Sequence, residues 1–401
     1  MEKSRSVGIV GGGPGGLTLA RLLVARGISS TVFELDEHPL ARPQGGSLDL
    51  HAESGQRALR EAGLEARFKE LARYEDQYDA IYDEHGTLRF EHAEASGGDR
   101  PEIDRTQLRS LLLGSLPKEV IRWGSKVTAV EPLPDGRCRV VGDPGSLGEF
   151  DLVVGADGAW SRVRPLLSQQ KPAYTGVHCI ELTLDDVDAR HPELAALIPR
   201  GKISAVGSWR GFIAQRSSNA HVRVYCMFRV PEEQLSQGVV DLSSPARARA
   251  QLKALYPGWA PSLLAFIDQC DDTPSPRPIV ALPVGHRWNH RPGVTLLGDA
   301  AHVMPPFSGE GVNMAMLDAL ELALALTEHA DWSRAVADYE ERMFVRAAEA
   351  AAGAMQGLDF ISEDGLAHVL GHYESLGPPP GTAARASTSG SGKAVRSVRT
   401  G

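Results

Sequence analysis

The chain has 401 residues, of which 42% are hydrophobic and 23% are charged, and its formal net charge at pH 7 is -9. At about 150 residues per domain, this length predicts two to three globular domains. The acidic balance argues against a nucleic-acid partner, because phosphate binding needs clustered cations, and no apolar run of about 18 residues predicts a membrane span. The four cysteines lie far apart, which argues against a disulfide framework or a zinc site. With no leader segment recognised, we expect a cytoplasmic protein, and we expect it to be a monomer.

The first residues predict a βαβ unit. Residues 7–10 are typical of a buried strand, residues 11–16 of a glycine-rich turn, and residues 17–26 of an amphipathic helix that ends at Gly27. Residues 31–34 predict a second strand. Parallel strands joined by a helix need a right-handed crossover, so this unit predicts a Rossmann-like α/β sheet.

The turn carries the G-x-G-x-x-G pattern at Gly11, Gly13 and Gly16. In order, these glycines allow a tight turn, close approach of a pyrophosphate, and packing of helix against strand. Glu34 ends the second strand, where a carboxylate accepts hydrogen bonds from an adenosine ribose. The motif predicts a dinucleotide cofactor but does not separate NAD from FAD.

Two later strands end in loops of a similar kind. Asp157 follows the strand at 150–156, and Asp299 follows the strand at 294–297; both loops contain glycines. Open α/β sheets bind ligands at the carboxyl ends of their strands. Three such loops on one sheet therefore fit one long cofactor.

Between about residues 170 and 282 the pattern changes to strand-like alternation, which predicts a mainly antiparallel second domain. The predicted organisation is a discontinuous cofactor-binding domain of residues 1–70, 95–170 and 283–330, a substrate-binding domain of residues 71–94 and 171–282, a C-terminal helical region of residues 331–375, and a disordered tail of residues 376–401.

Together, the glycine turn, Asp157-Gly158 and Gly298-Asp299 resemble the motifs of the FAD-dependent group A aromatic monooxygenases, which share the fold of p-hydroxybenzoate hydroxylase. The resemblance covers about residues 7–349. Residues 45–51, residues 101–105 and Met304-Pro305-Pro306-Phe307 look like segments of the tetracycline-inactivating flavin monooxygenases. The resemblance implies an α/β fold in which a Rossmann-like FAD-binding domain is interleaved with an antiparallel substrate domain and followed by a C-terminal helix.

The resemblance also implies roles for individual residues. Asp299 would hold the flavin ribityl chain, Arg105 and Asp49 would contact FAD, and Arg42 would lie near the flavin face that NADPH approaches. Asp157 would support the cofactor loops.

Two further features fit a flavin. Gly309 and Gly311 open the last helix of the sheet domain, whose N-terminal N–H groups would stabilise negative charge at the flavin N1–C2 carbonyl. Pro305 and Phe307 are suited to shaping the wall that faces the flavin.

Two arginines point to an anionic neighbour. Arg105 and Arg109 lie four residues apart in the first turns of a helix that Asp104 is placed to cap. The helix dipole disfavours cations there. We therefore expect a bound pyrophosphate, or a carboxylate such as Asp49, beside them.

The resemblance implies that NADPH reduces FAD, that O2 adds at flavin C4a, and that the hydroperoxide hydroxylates an electron-rich ring or enol. No catalytic side chain is expected.

Glu181, Arg210 and Arg223 fall near the family's substrate contacts, but two of the residue types differ from the family pattern. The substrate class is thus a polycyclic aromatic small molecule, with tetracycline inactivation and polyketide tailoring both open. The alternatives are a two-domain NAD(P)-dependent dehydrogenase and a flavin-binding module without turnover.

Overall fold

The computed structural model describes residues 5–42, 45–93, 99–235, 238–271 and 274–375. The predicted disordered tail, residues 376–401, lies outside these described residues.

Numbered along the chain, the strands are β1 Ser6–Val10, β2 Ser29–Phe33, β3 Ser47–Asp49, β4 Tyr78–Asp83, β5 Leu88–Ala93, β6 Glu102–Asp104, β7 Ile121–Arg122, β8 Val127–Pro132, β9 Cys138–Gly142, β10 Gly145–Phe150, β11 Leu152–Gly155, β12 Ala173–Leu184, β13 Lys202–Gly207, β14 Arg210–Arg216, β15 Val222–Arg229, β16 Ser275–Ala281 and β17 Val294–Leu296.

The α-helices are α1 Pro14–Ala25, α2 Gly55–Glu61, α3 Glu65–Leu71, α4 Arg105–Gly114, α5 Val187–Arg190, α6 Pro192–Leu197, α7 Glu232–Leu235, α8 Pro245–Ala254, α9 Pro261–Asp268, α10 Asp299–His302, α11 Glu310–Glu328, α12 Trp332–Gln356 and α13 Gly365–Ser375. Short 3-10 helices cover Lys118–Val120, Arg164–Leu166, Pro306–Ser308 and Gly357–Ile361.

The predicted βαβ unit is β1–α1–β2. Pro14 stands at the first helical position, where its missing N–H costs nothing. Gly27 follows the helix with φ +70°, the left-handed conformation that commonly ends a helix. Strands β17, β11, β1, β2 and β7 form a parallel sheet in that order. Its residues share one apolar core with helices α1, α4, α11 and α12.

The second large sheet has the order β16, β12, β15, β14, β13, β4, β5. Its neighbours are antiparallel except for β13 and β4. Side chains alternate between its faces. Ile180 and Val224 point to the face that packs on α8 and α9, whereas Cys179 and Met227 point to the other face, where they contact the 3-10 helix at 357–361.

Two smaller sheets complete the fold. Strands β8, β9 and β10 form an antiparallel sheet, and β3 pairs with β6 as an antiparallel ribbon. One face of this ribbon buries Leu48 and Ile103 in the apolar core. The opposite face carries the polar side chains of Ser47, Asp49, Glu102 and Asp104.

The predicted α/β class, with a parallel sheet interleaved with an antiparallel one, is confirmed. Strands β4 and β5, from the early segment 71–94, join the second sheet. The division of the chain into domains stays a prediction. Across the described ranges, no helix is both long enough and apolar enough to span a membrane.

Candidate functional site

The three predicted loops meet at one edge of the parallel sheet. Strands β1, β11 and β17 are neighbours, with Val10 opposite Gly155 and Gly155 opposite Leu296. These are the carboxyl ends of parallel strands, so the loops that follow them border one cleft.

At two positions of the glycine turn after β1, a side chain would collide with backbone atoms. Gly11 has φ +107°, and a methyl group there would collide with the carbonyl oxygen of Ala156. A methyl group on Gly16 would collide with the carbonyl oxygen of Gly11. By contrast, no heavy atom of a described residue, apart from Gly13 and its chain neighbours, lies within 4 Å of the Cβ position of Gly13. That open side is where a phosphate group would approach the turn.

The carboxylate of Glu34 accepts hydrogen bonds from the backbone at this turn and just after β2. The N–H of Gly12 donates to Oε2 of Glu34 (2.6 Å), and the N–H of Asp36 donates to Oε1 (2.9 Å). Strand β2 ends at Phe33, one residue earlier than predicted. The predicted contact of Glu34 with a ribose hydroxyl stays a prediction.

Asp157 and Asp299 occupy the other two loops. Oδ2 of Asp157 accepts the N–H of Arg162 (2.6 Å), while its buried Oδ1 has no hydrogen-bond partner among the described residues. Asp299 is exposed although the rest of α10 is buried. Although solvent reaches the side chain, the protein around it partly desolvates the carboxyl and raises the pKa of Asp299, whereas the charges of His302 and Arg105 act to lower it. Both loops therefore present carboxyl oxygens that a ligand would satisfy.

A buried network fixes the loop behind Asp299. Oδ2 of Asp318 accepts the N–H of Gly298 (3.0 Å) and lies 2.7 Å from Nε2 of His302. Arg346 donates to Oδ1 of Asp318 (3.2 Å). Burial lowers the pKa of His302, but the charge and hydrogen bond of Asp318 outweigh burial and raise it above its ordinary value. His302 thus supports the loop.

The first turn of α11 borders the same cleft. Gly309, its N-cap, has φ +69°, and no side chain caps the helix, so its first N–H groups lack intrahelical partners. Apart from Gly311 itself, its chain neighbours and the helix's own backbone, no described residue has a heavy atom within 4 Å of the Cβ position of Gly311. Oδ1 of Asp49 lies 3.2 Å from the Cβ position of Gly309. Asp49 therefore lies beside the start of α11, where the two glycines are.

Arg105 and Arg109 have different surroundings. Arg109 is buried and donates to Oδ2 of Asp36 (3.1 Å) and to the carbonyl oxygen of Pro39 (2.8 Å). Its carboxylate neighbour is therefore Asp36 and not Asp49. Arg105 is exposed and forms no ion pair within the described ranges. Nε of Arg42, in an exposed side chain, donates to Oδ1 of Asp36 (2.9 Å).

Asp104 stands at the predicted N-cap position of α4, but the predicted capping hydrogen bond of its side chain is wrong. The helix begins after Asp104 as expected, but the Asp104 side chain makes no capping hydrogen bond. Its oxygens contact Ser218 and Arg73 instead. Asp104 therefore connects the β3–β6 ribbon to the second sheet.

An apolar wall joins the two sheets. Phe307 packs in a cluster with Val177 and Met227 of the second sheet, and its ring centroid lies 6.3 Å from that of Phe360. Pro305 is buried just before it. Their predicted role in shaping the wall that faces the flavin stays a prediction.

Of the three predicted substrate residues, two come together. Glu181 of β12 and Arg223 of β15 form a buried ion pair, and Arg277 of β16 contacts the other oxygen of Glu181. Arg210 instead shares the face of Phe212, which packs on α8 and α9. The sheet therefore separates Arg210 from the other two.

The sequence and structure comparisons decide the family. The model of the FAD binding domain matches residues 4–253 and 282–351. The chain is 34% identical over 364 residues to "Monooxygenase penA" of Penicillium thymicola, an alignment that covers 79% of this chain and 83% of that protein.

The chain belongs to the FAD binding domain family of flavin monooxygenases. Among solved structures, Klebsiella pneumoniae HpxO complexed with FAD and uric acid has a TM-score of 0.78 at 22% identity, over 94% of this chain and 93% of that one. The tetracycline destructase Tet(55) has a TM-score of 0.71 at 19% identity, over 94% and 96%. At these identities the two structures establish the fold. The predicted family is confirmed, and it rules out the dehydrogenase alternative.

The cleft of this flavin monooxygenase suits FAD. Gly13 leaves open space at the turn, Oδ1 of Asp157 is buried without a partner among the described residues, and the carboxyl of Asp299 is exposed. FAD has phosphates, ribityl hydroxyls and a ring carbonyl to meet such groups. The contacts of FAD with Gly11, Gly13, Gly16, Glu34, Asp49, Arg105, Asp157, Asp299, Gly309 and Gly311 stay predictions.

Some residues of the site were not singled out from the sequence. Oε2 of Glu102 accepts from Ser47 and from Gln215 (3.3 Å). Burial and the nearby charge of Asp49 raise the pKa of Glu102 to about 7. Lys202 faces the same ribbon. The alternation of polar and apolar residues in β3 and β6 was the available signal, because it places Ser47 and Glu102 on one face.

Proposed function

We propose that this flavin monooxygenase uses NADPH and O2 to hydroxylate a polycyclic aromatic, phenolic or enolic small molecule. The contact between the cofactor loops and the second sheet supports this most directly. The Cβ position of Gly46, just before β3, lies 3.3 Å from Oη of Tyr225 and 3.4 Å from Cδ of Arg223. A ring bound on that face would therefore lie beside the cofactor cleft.

The overall reaction balances as substrate C–H, O2, NADPH and a proton giving C–OH, water and NADP⁺. FAD, when bound, supplies the activation of oxygen. The protein's own tasks are then positioning and electrostatics. The N–H groups of α11 stabilise negative charge, and the apolar wall around Phe307 keeps water away from the reacting centre.

The substrate face favours a molecule with both rings and polar oxygens. Tyr225 offers an aromatic surface, while Glu181 with Arg223 offers a charged one. Tetracyclines and polyketide phenols combine these features. They are the compounds to test first, together with simpler phenols as a comparison.

The decisive experiment is a screen for substrate-stimulated NADPH oxidation by the FAD-loaded protein, with NADH in parallel and mass spectrometry of the products. The expected result is a product one oxygen atom heavier and at least one compound that accelerates NADPH oxidation. A protein that takes up no FAD would contradict the proposal. Stable FAD binding with no product from any compound would instead favour a flavin-binding module without turnover.

The same experiment includes one pair of variants. Asp299→Ala is expected to lower FAD affinity, because it removes the exposed carboxyl at the cleft. Asp338→Ala, which changes a half-exposed carboxyl on α12, serves as the matched control. Equal FAD affinity of the two variants in a titration would remove Asp299 from the cofactor site.

A further inference from the structure

His51 follows β3 and is completely buried, with carboxylates around its ring. Nε2 lies 3.1 Å from Oδ2 of Asp49, and Nδ1 lies 3.5 Å from Oε1 of Glu310 and 3.9 Å from Oε1 of Glu53. Nδ1 makes no hydrogen bond with the part of the chain that the structure describes. A buried ring with carboxylates near both nitrogens is arranged as a cation.

Asn313 connects this histidine to the first turn of α11. Oδ1 of Asn313 accepts the N–H of His51 (2.9 Å), and Nδ2 donates to the carbonyl oxygens of Asp49 (2.9 Å) and Gly309 (3.3 Å). Asn313 is itself fully buried. The strand end and the helix start are therefore held as one unit.

The position of Asp49 raises an electrostatic question. The N–H groups at the start of α11 favour negative charge on a bound group. The carboxylate of Asp49 lies close to Gly309. Its negative charge would repel a negatively charged group bound there and so reduce the stabilisation that these N–H groups provide. A nearby cation that neutralises Asp49 would remove this conflict.

We propose that His51 is a positioning residue, held as an imidazolium, whose charge neutralises Asp49 and lets the first turn of α11 stabilise the negative charge of reduced FAD. The inference rests on the proposed function only in requiring FAD to bind and to be reduced.

The surrounding charges agree with a cationic His51. Burial lowers the pKa of His51, but the hydrogen bond and charge of Asp49 outweigh burial, with Glu310 adding to the effect and Arg100 opposing it. The net pKa lies above the ordinary value. Glu53 adds a third carboxylate near the ring. Burial raises the pKa of Asp49, yet His51 and Lys202 bring it below its ordinary value.

The first test replaces the charge and keeps a donor. His51→Gln still has an N–H group to offer Asp49 but carries no charge. Without any substrate, FAD titrations and equilibration with redox dyes give the dissociation constants of oxidised and reduced FAD. We expect His51→Gln to weaken reduced FAD relative to oxidised FAD by about tenfold, which corresponds to about one pKa unit of lost interaction.

Two controls distinguish the loss of the His51 charge from a general disturbance of the folded protein. In an Asp49→Asn background, His51→Gln should change the ratio no further, because the residue beside Gly309 then carries no charge for His51 to neutralise. His221→Gln changes a histidine that pairs with Asp185 in the second domain and should leave the ratio at the wild-type value. An unchanged ratio in the single variant His51→Gln would overturn the proposal.

A second measurement uses the wild-type protein, so it stands even if a variant fails to bind FAD. Linkage is reciprocal, so reduction of FAD must raise the pKa of His51 in an NMR titration of its ring. A His51 that is neutral at pH 7, or whose pKa does not respond to reduction, would overturn the proposal. FAD uptake and reduction without hydroxylation of any compound would contradict the proposed function and leave the role of His51 intact.

Discussion

Glu181 and Arg223 form an ion pair across strands β12 and β15, with only 8% of each side chain exposed. Arg277, whose side chain is 55% exposed, contacts the second oxygen of Glu181. The carboxylate thus holds two arginines on the face that meets the cofactor loops. Removing one partner of a buried pair leaves an uncompensated charge in a poorly solvated place. The pair therefore contributes both stability and polarity to the face that we propose binds the substrate.

Glu181→Gln should lower the free energy of unfolding by about 3 kcal/mol, because it leaves Arg223 buried and unpaired. Urea denaturation of the single variants and of Glu181→Gln/Arg223→Gln measures the coupling in a double-mutant cycle. Arg277→Ala is the control and should cost at most about 1 kcal/mol, since solvent screens an exposed partner. Additive effects of the two buried substitutions would contradict the pairing.

Glu102 predicts a pH dependence of stability. Its pKa in the folded protein is about 7, raised by burial and by Asp49, and the unfolded carboxyl has an ordinary, lower pKa. The folded state therefore holds the proton more tightly. Its stabilising effect is present at low pH and is lost as the pH rises through about 7.

Glu102→Gln mimics the protonated carboxyl and should remove this loss. The difference in unfolding free energy between variant and wild type should grow with pH by up to about 1.4 kcal/mol per unit between the two pKa values. Urea melts at intervals from pH 5 to pH 8 measure it. Glu341→Gln, at an exposed carboxyl on α12, is the control and should show a flat difference. The same flat line for Glu102→Gln would refute the raised pKa.

The sequence predicted those parts of the site that follow from local pattern and sheet geometry. The turn at Gly11 and the loops at Asp157 and Asp299 each follow a recognisable strand, and neighbouring parallel strands bring their carboxyl ends together. Asp49 was placed through resemblance. Predicting these features does not require the residue-by-residue pairing between strands that are distant in the chain.

The contacts that the sequence did not predict depend on residues distant in the chain. Arg109 lies within reach of Asp36 because of how α4 packs beside the end of β2, and no spacing along the chain encodes this. Arg210 lies on the far face because it pairs with Phe228 of β15, whose side chain is on the face that packs on α8 and α9. Likewise, the importance of His51 appears only when α11 is folded against it.

The glycine turn offers a clean separation of folding from cofactor binding. Gly16→Ala should destabilise the protein even without FAD, since the new methyl group meets the backbone of Gly11. Gly13→Ala should change stability by no more than about 1 kcal/mol, because Gly13 already has φ -76° as the N-cap of α1. It should nevertheless weaken FAD binding by about tenfold or more, because the methyl group enters the space that a phosphate would occupy.

Thermal melts of the FAD-free variants and FAD titrations measure the two effects separately. Gly353→Ala, at an open position within α12, is the control and should leave FAD affinity unchanged while slightly stabilising the helix. Unchanged FAD affinity in Gly13→Ala would show that the cofactor does not approach this turn.

Arg42 carries the prediction for NADPH. Its guanidinium donates to Asp36, which Arg109 also contacts, so the loop after β2 keeps one of its two arginine contacts when Arg42 is removed. Arg42→Ala should therefore leave FAD content at the wild-type level. It should slow the reduction of FAD by NADPH by about tenfold or more, because a lost hydrogen bond between an arginine and an anionic group costs about 1.5–3 kcal/mol. Anaerobic stopped-flow reduction measures this rate.

Arg67→Ala, which removes a similarly exposed arginine paired with Glu70, controls for the general loss of positive charge. Wild-type reduction by Arg42→Ala would place the NADPH site elsewhere, whereas a loss of FAD would show that Arg42 acts by holding the loop.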